Sequence, residues 1–404
     1  MSPEHLAQLQ AALAQTTGFI YPNEVELHWS ILIVIYPYIT GLVAGAFILA
    51  SLEKVFNVKD VQPTYRLALL TALAFLFVAP IPLQAHLGHP ERAFEIFLTP
   101  NPSSAMAMFG FVYAWYLMLV LLLEIWFEYR ADMVRWRQSE RGLKKLFYWI
   151  VSLGSRDVSP KAVAFDHKAV YAITVVGIPS AFLLHGYVGF IFGSVKANPW
   201  WSSVLIPIVF LFSAIVSGIS LVLLLYYVTT QLRGKQLDMK CLNALASFLL
   251  YALIIDFSLE ILDFVHRLYQ SEESIDILQE LIFSKLFISL TIVQILLGTI
   301  GPLVLLTIAR FTDIPNELKR TGFFLAAIFV QVGIFSTRWN VVIGGQLFSK
   351  SFRGLTVYKL ELGGQEGLLI AIALLILPFL ILAALLKLFP PWDEARTGPE
   401  SPGS

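Results

Sequence analysis

Charge is scarce in this chain. Only 14% of its 404 residues are charged, and the 28 basic residues are matched by 28 acidic ones. With no basic surplus to neutralise phosphates, nothing in the sequence points to nucleic acid. Cysteine is scarcer still: Cys241 stands alone, which excludes an internal disulfide, a thiolate zinc site or an iron–sulfur cluster held by this chain. If the protein handles electrons, the metal centres belong to partner subunits. The first 28 residues hold neither Lys nor Arg and no apolar run of signal-peptide length, so they read as a mature N-terminal segment. Strand-like alternation of apolar and polar residues is also missing, which excludes a membrane β-barrel.

What is abundant is uninterrupted hydrophobicity. Apolar residues make up 57% of the chain, in blocks of about twenty, the length that spans a hydrocarbon core about 30 Å thick at ~1.5 Å per residue. The fold class is therefore all-α, a polytopic transmembrane bundle. Nine spans are predicted, at Trp29–Ala50, Arg66–Gln84, Ser104–Glu128, Ala169–Phe192, Ser203–Thr229, Leu242–Val265, Leu281–Ala309, Phe323–Ile343 and Gly367–Phe389. The run Leu146–Leu153 is too short to cross and should lie on the membrane surface; as a tenth crossing it would change the count.

Basic residues support nine crossings. With each assigned to its nearest helix end, 20 of the 28 fall on one side, 7 on the other, and Arg338 lies inside a span. The richer side is cytoplasmic, so the N-terminus is expected outside and the C-terminus inside a prokaryotic cytoplasmic membrane. Spans one to four then run in the same directions as spans five to eight. This suggests an outer segment over 1–28, a four-helix bundle over 29–192, a second over 193–343, an appended helix within 344–390 and a polar tail over 391–404.

The ionisable residues that remain in or near the spans carry the chemistry. His28, His86, His89, His185 and His266 fall at expected outer ends of helices. Imidazole suits the interfacial region, but five on one face also match the bonding and proton transfer that a quinone carbonyl needs. Asp256, Glu260, Asp263 and Arg267, at steps of four, three and four, form one stripe on span six. Each acid at mid-membrane costs about 2.5–3.5 kcal/mol on insertion scales, so the stripe should face the bundle interior, paired with Arg267 or Arg338. It forms either a static ion-pair network or a proton path. Gly41 and Gly45 form a small-residue face suited to close helix packing.

Three stretches resemble a known family: Tyr38-Ile-Thr-Gly-Leu-Val-Ala-Gly-Ala-Phe47; His86-Leu-Gly-His-Pro-Glu-Arg92 with Asn101-Pro-Ser-Ser104; and His185-Gly-Tyr-Val-Gly189 with Ala197-Asn-Pro-Trp200. The chain resembles the NrfD/PsrC family, the membrane subunits of polysulfide reductase and related respiratory complexes, over roughly residues 20–390. Its length is closest to the longer, DsrP-like branch linked to sulfur metabolism. The resemblance implies two four-helix bundles and a menaquinone or ubiquinone site near the outer face. It also implies a ferredoxin-like iron–sulfur partner there, alongside other membrane and cytochrome subunits, with no haem or cluster in this chain. Site residues implied by the matching motifs are His28, His86, His89, Arg92 and His185, with Tyr113 and Tyr116 as phenolic partners. Asp256, Glu260, Asp263 and Arg338 are the candidates for a proton path.

Two other functions fit parts of the sequence. A haem b cytochrome would use paired imidazoles, and an ion- or proton-translocating transporter module would use the parallel units and the acidic stripe. Topology provides the first test. A reporter fused after Ser404 should be cytoplasmic and one at the N-terminus should lie outside; a cytoplasmic N-terminus would require a tenth span.

Overall fold

The computed structural model describes residues 10, 13–14, 16–25, 27–99, 101, 103–270 and 274–392. Pro100 and Pro102 of the 86–104 stretch, the start of the N-terminal segment and the end of the polar tail lie outside them. Among the described residues, nine helices are long and apolar enough to cross a membrane: α1 (Ile31–Lys54), α2 (Lys59–His86), α3 (Phe111–Ser139), α4 (Pro160–Gly193), α5 (Ile206–Leu232), α6 (Met239–Tyr269), α7 (Phe287–Phe311), α8 (Asn316–Gln346) and α9 (Leu368–Leu388). The protein is a multi-pass membrane protein.

Local sequence sets several helix starts. Ser30 caps α1, its hydroxyl accepting from the Leu32 amide at 3.3 Å. Ser159 does the same for α4 through the Ala162 amide, with Pro160 in the first turn where its missing N–H costs nothing. The run around Leu146 forms a short helix, Gly142–Val151, that does not cross. It leaves Leu143, Leu146, Trp149 and Ile150 exposed and donates from the Tyr148 hydroxyl to Leu388 O at 2.9 Å. An apolar face beside Lys144 and Lys145 suits the plane of the headgroups.

Two four-helix bundles result. In the first, α1 packs on α2 and α4, and α3 on α4; in the second, α5 packs on α6 and α8, and α7 on α6 and α8. The most extensive junction is α1 against α5, which joins the bundles. Helix α1 is buried along nearly its whole length, whereas α9 leans on α2 and α1 and is largely exposed. The third helix of each bundle is π-wound over part of its length, at Trp115–Leu121 in α3 and Phe287–Ile300 in α7.

The face where α1 begins, here the N-terminal face, is sewn together by chain segments far apart in sequence. Strand β1 (Thr17–Phe19) pairs antiparallel with β2 (Arg353–Leu355). The Trp29 amide donates to Gln346 Oε1 at 3.0 Å, and the Ile31 amide to the Tyr358 hydroxyl at 2.9 Å. Burial raises the Tyr358 phenol above its ordinary pKa. The α4–α5 loop docks on the end of α8: Trp200 and Trp201 donate through their indoles to Asn340 O (2.9 Å) and Val341 O (2.6 Å), and Asn198 Nδ2 to Gly345 O at 2.7 Å.

The α1–α5 junction depends on two residues without side chains. A Cβ on Gly45 would overlap the backbone of Ala214, and one on Gly218 the backbone of Gly45 and Ala46. Backbone cannot yield as a flexible side chain does. Gly45→Leu or Gly218→Val should therefore lose at least the roughly 1–3 kcal/mol typical of an overpacked core, read as a lower melting temperature in detergent. Gly88→Ala, with open space around it, should leave melting unchanged.

Candidate functional site

His185 is completely buried, two turns from the end of α4 at Gly193 and roughly 12 Å inside at ~1.5 Å per residue. The expectation that it sits at the helix end is corrected accordingly: it belongs to the interior. Gly41 of α1 makes room, because a Cβ there would press on the imidazole at 3.2 Å. Arg338 of α8, also completely buried, reaches His185 Nε2 at 3.2 Å and donates to Ser213 Oγ of α5 at 2.6 Å, its guanidinium lying 4.1 Å from the Phe210 ring. A guanidinium only donates, so Nε2 accepts. The ring is then neutral, with its proton on Nδ1, donating to Thr40 Oγ1 at 3.3 Å; that hydroxyl in turn donates to Tyr36 O at 3.0 Å. Both imidazole nitrogens are thus engaged.

The α6 stripe faces inward, as its desolvation cost requires. Asp256 and Asp263 are buried and Glu260 half-buried. Asp263 pairs with Arg267 at 2.8 Å and accepts from the Ser203 hydroxyl, while Arg267 also donates to Pro199 O. Glu260 does not join that pair; it accepts from Gln294 Nε2 of α7 at 3.1 Å, and Gln294 Oε1 accepts from Asn340 Nδ2 at 2.8 Å. A cavity of about 60 Å³ lies among Glu260, Asp263, Arg267, Gln294 and Asn340. Arg338 does not form the direct ion pair expected of it. Its contacts are His185, Ser213 and Phe210, and it meets Asp256 and Glu260 only through the field of its charge. Arg338 Nε and NH1 and Asp256 Oδ1 have no hydrogen-bond partner among the described residues. These groups form a polar column from the N-terminal face, at Asp263 and Arg267, to mid-membrane at Asp256 and Arg338.

A second cavity, of about 380 Å³, opens at the N-terminal face between the segment before α1, the α4–α5 loop and the end of α8. Trp29 and Trp201 stack beside it with ring centroids 5.1 Å apart, and Asn23, His28, Asn198 and Gln346 line it. Of the histidines among the described residues, His28 alone does so. The seven residues expected to share one pocket are therefore distributed. His86 sits 3.0 Å from Glu366 at the approach to α9, and exposed His89 the same distance from Glu91. Arg92 is exposed on the same loop, Tyr113 donates its hydroxyl to Leu76 O, and Tyr116 is buried against Phe47. None of the described residues of the loop from His86 lines the cavity.

Sequence reading missed a second buried charge cluster, on α3 and α4. Arg66 binds Glu128 and Asp132, and Arg130 binds Asp166, each at 2.7–2.8 Å. The signal was present as Glu124, Glu128 and Asp132 at steps of four, but the third span was expected to end at Glu128 and two of the three read as a helix end.

Comparison with known proteins decides the family. The family described as "Polysulphide reductase, NrfD" matches residues 22–350. A selenate reductase subunit from Mesobacillus selenatarsenatis is 34% identical over 323 residues, 78% of this chain and 73% of that one. An Hdr-like menaquinol oxidoreductase integral membrane subunit from Archaeoglobus fulgidus is 26% identical over 381 residues, 89% of this chain and 84% of that one. A putative dimethyl sulfoxide reductase membrane subunit from Halobacterium salinarum is 27% identical over 229 residues, 55% of this chain and 48% of that one.

The chain belongs to the NrfD family. The family match contains the polar column, the N-terminal cavity and the α3 cluster, and stops before α9. Within this NrfD protein the two parts of the α6 stripe should behave differently. Asp263→Asn leaves Arg267 short of a carboxylate and should lower stability by about 3–5 kcal/mol, as broken buried pairs do. Glu260→Gln keeps the shape of a group whose direct bond is to an amide, and should melt within a few degrees of the native protein. Equal losses in the two variants would make the whole stripe an ion-pair scaffold.

Proposed function

We propose that this NrfD protein is the quinone-interacting membrane subunit of a respiratory electron-transfer complex. It exchanges electrons between the membrane quinone pool and a ferredoxin-like iron–sulfur subunit docked at its N-terminal face, which lies outside the cytoplasmic membrane. Further membrane and cytochrome subunits make up the rest of the complex. The observation that carries this reading is the N-terminal cavity: stacked indoles for an aromatic head, the Asn198 amide as a donor, and His28 at its edge. Membership of a family whose relatives bear the names menaquinol oxidoreductase and reductase membrane subunit supports it. Sulfur metabolism is the expected setting for a DsrP-like member.

A quinone supplies two-electron, two-proton chemistry when bound. In this proposal Trp29 and Trp201 would hold its ring, Asn198 would donate its second amide hydrogen to a carbonyl, and His28 would move a proton at its imidazole. Glu260, Asp256, Arg338 and His185 extend a proton path inward from the same face. The first bundle, 29–192, supplies His185, with His28 immediately before it; the second, 193–343, supplies the acids and Arg338; residues 344–390 close the cavity with Gln346 and add α9. His86, His89 and Arg92, on the loop at the same face, serve the docking partner rather than the quinone ring. Tyr113 and Tyr116 lie inside the first bundle and do not touch the ring.

Mutation separates these roles. In the assembled complex His28→Ala should lower quinone-linked electron transfer at least tenfold, about the scale of lost acid–base help, with every partner retained. His89→Ala should affect partner retention instead. Full turnover with His28→Ala would move the quinone to another cavity.

A further inference from the structure

The α3 cluster opens on the face opposite the N-terminal one, where a cavity of about 230 Å³ is lined by Arg66, Glu128, Asp132, Arg135, Asp166 and His167. Arg135, at its rim, has a side chain more than half exposed. Inward from there the charges are paired: Arg66 reaches Asp132 Oδ2 and Glu128 Oε1, both at 2.8 Å, and Lys54 lies 3.3 Å from Glu128 Oε2. One turn deeper the pairing stops. Glu124 is completely buried, and its Oε1 accepts from the Thr174 hydroxyl at 2.9 Å and the Tyr65 hydroxyl at 3.2 Å. Its Oε2 has no hydrogen-bond partner, and no ion pair to Glu124 is formed among the described residues.

Such a carboxyl does not serve stability. Burying it with one of its two oxygens unbonded carries a desolvation cost that a leucine would not. Beyond Glu124, Phe47 and Tyr116 pack edge to face with centroids 5.5 Å apart, and the Tyr116 hydroxyl is buried without a partner among the described residues. Along α4, His185 lies three turns beyond Thr174, roughly 16 Å at ~1.5 Å per residue. The two polar columns thus enter from opposite faces and stop on either side of a largely apolar layer that holds the Tyr116 hydroxyl and, already bonded to Val176 O and the Trp115 indole, the Ser180 hydroxyl.

We propose that Glu124 ends a second proton half-path, so that protons of the quinone reaction exchange with the aqueous phase on the face opposite the quinone cavity. The proposal rests on the quinone reading above. Per turnover, one quinone, two electrons from the iron–sulfur partner and two protons give one quinol, or the reverse. Protons pass between Asp132 or Glu128 and the Glu124 carboxyl, across that layer by way of the Tyr116 hydroxyl, and on to His185 and the α6 column.

The test uses the whole complex in liposomes with a pH dye on the side opposite the quinone cavity. Glu124→Gln should lower the protons exchanged there per electron at least tenfold. It should also remove a buried-carboxyl band from the infrared protonation-difference spectrum of the protein without quinone. An unchanged proton-to-electron ratio overturns the proposal. So does a native complex that turns over quinone with no exchange on that side, although the quinone reading then survives, since His28→Ala tests it separately. If Glu124→Gln fails to assemble, Thr174→Val and Tyr65→Phe each remove one donor to Glu124; at least threefold less exchange is expected, and a native ratio in both overturns the proposal.

Discussion

A guanidinium inside a bundle that stands in hydrocarbon cannot be left bare, and the accommodation of Arg338 governs the centre of this protein. It draws a group from α4 and two from α5 into contact, and it sets the protonation of His185 because it can only donate. It also places a positive charge beside Asp256 and Glu260 without closing an ion pair. A closed pair would be a strut. A charge held one step away acts on both acids without bonding to either.

The close α1–α5 junction is what makes that placement possible. Gly45 and Gly218 bring two backbones together, and the same approach lets Thr40 and Ser213 reach the imidazole and the guanidinium from either side. Packing and chemistry are here one constraint: a larger residue at either glycine would separate the helices and unmake the polar centre.

The bundle was legible in the sequence because span length is a one-dimensional property. All nine blocks appear as helices, and the run near Leu146 does not cross, as its length demanded. Side-chain partnership is not one-dimensional. His86 finds Glu366 and the Trp29 amide finds Gln346, partners hundreds of residues away that no local pattern announces. Glu128 and Asp132 looked like the polar end of a helix because Arg66, which makes their burial tolerable, comes from another helix. The α6 stripe was readable as inward-facing, since three acids on one face admit no lipid, but which acid met which base was not.

Thr40 and Gly45 on α1 are five residues apart, as are Ser213 and Gly218 on α5, and His185 and Arg338 each stand two turns before the end of the last helix of their bundle. The two halves therefore meet through equivalent positions. Two separate, identical four-helix proteins would have to bring the same residue to both: a pair of guanidinium groups that repel, or a pair of imidazoles with no fixed charge. Joining the halves in one polypeptide removes that obligation. It allows one guanidinium and one neutral imidazole to face each other across what would otherwise be a symmetric seam, and so gives the membrane centre a direction.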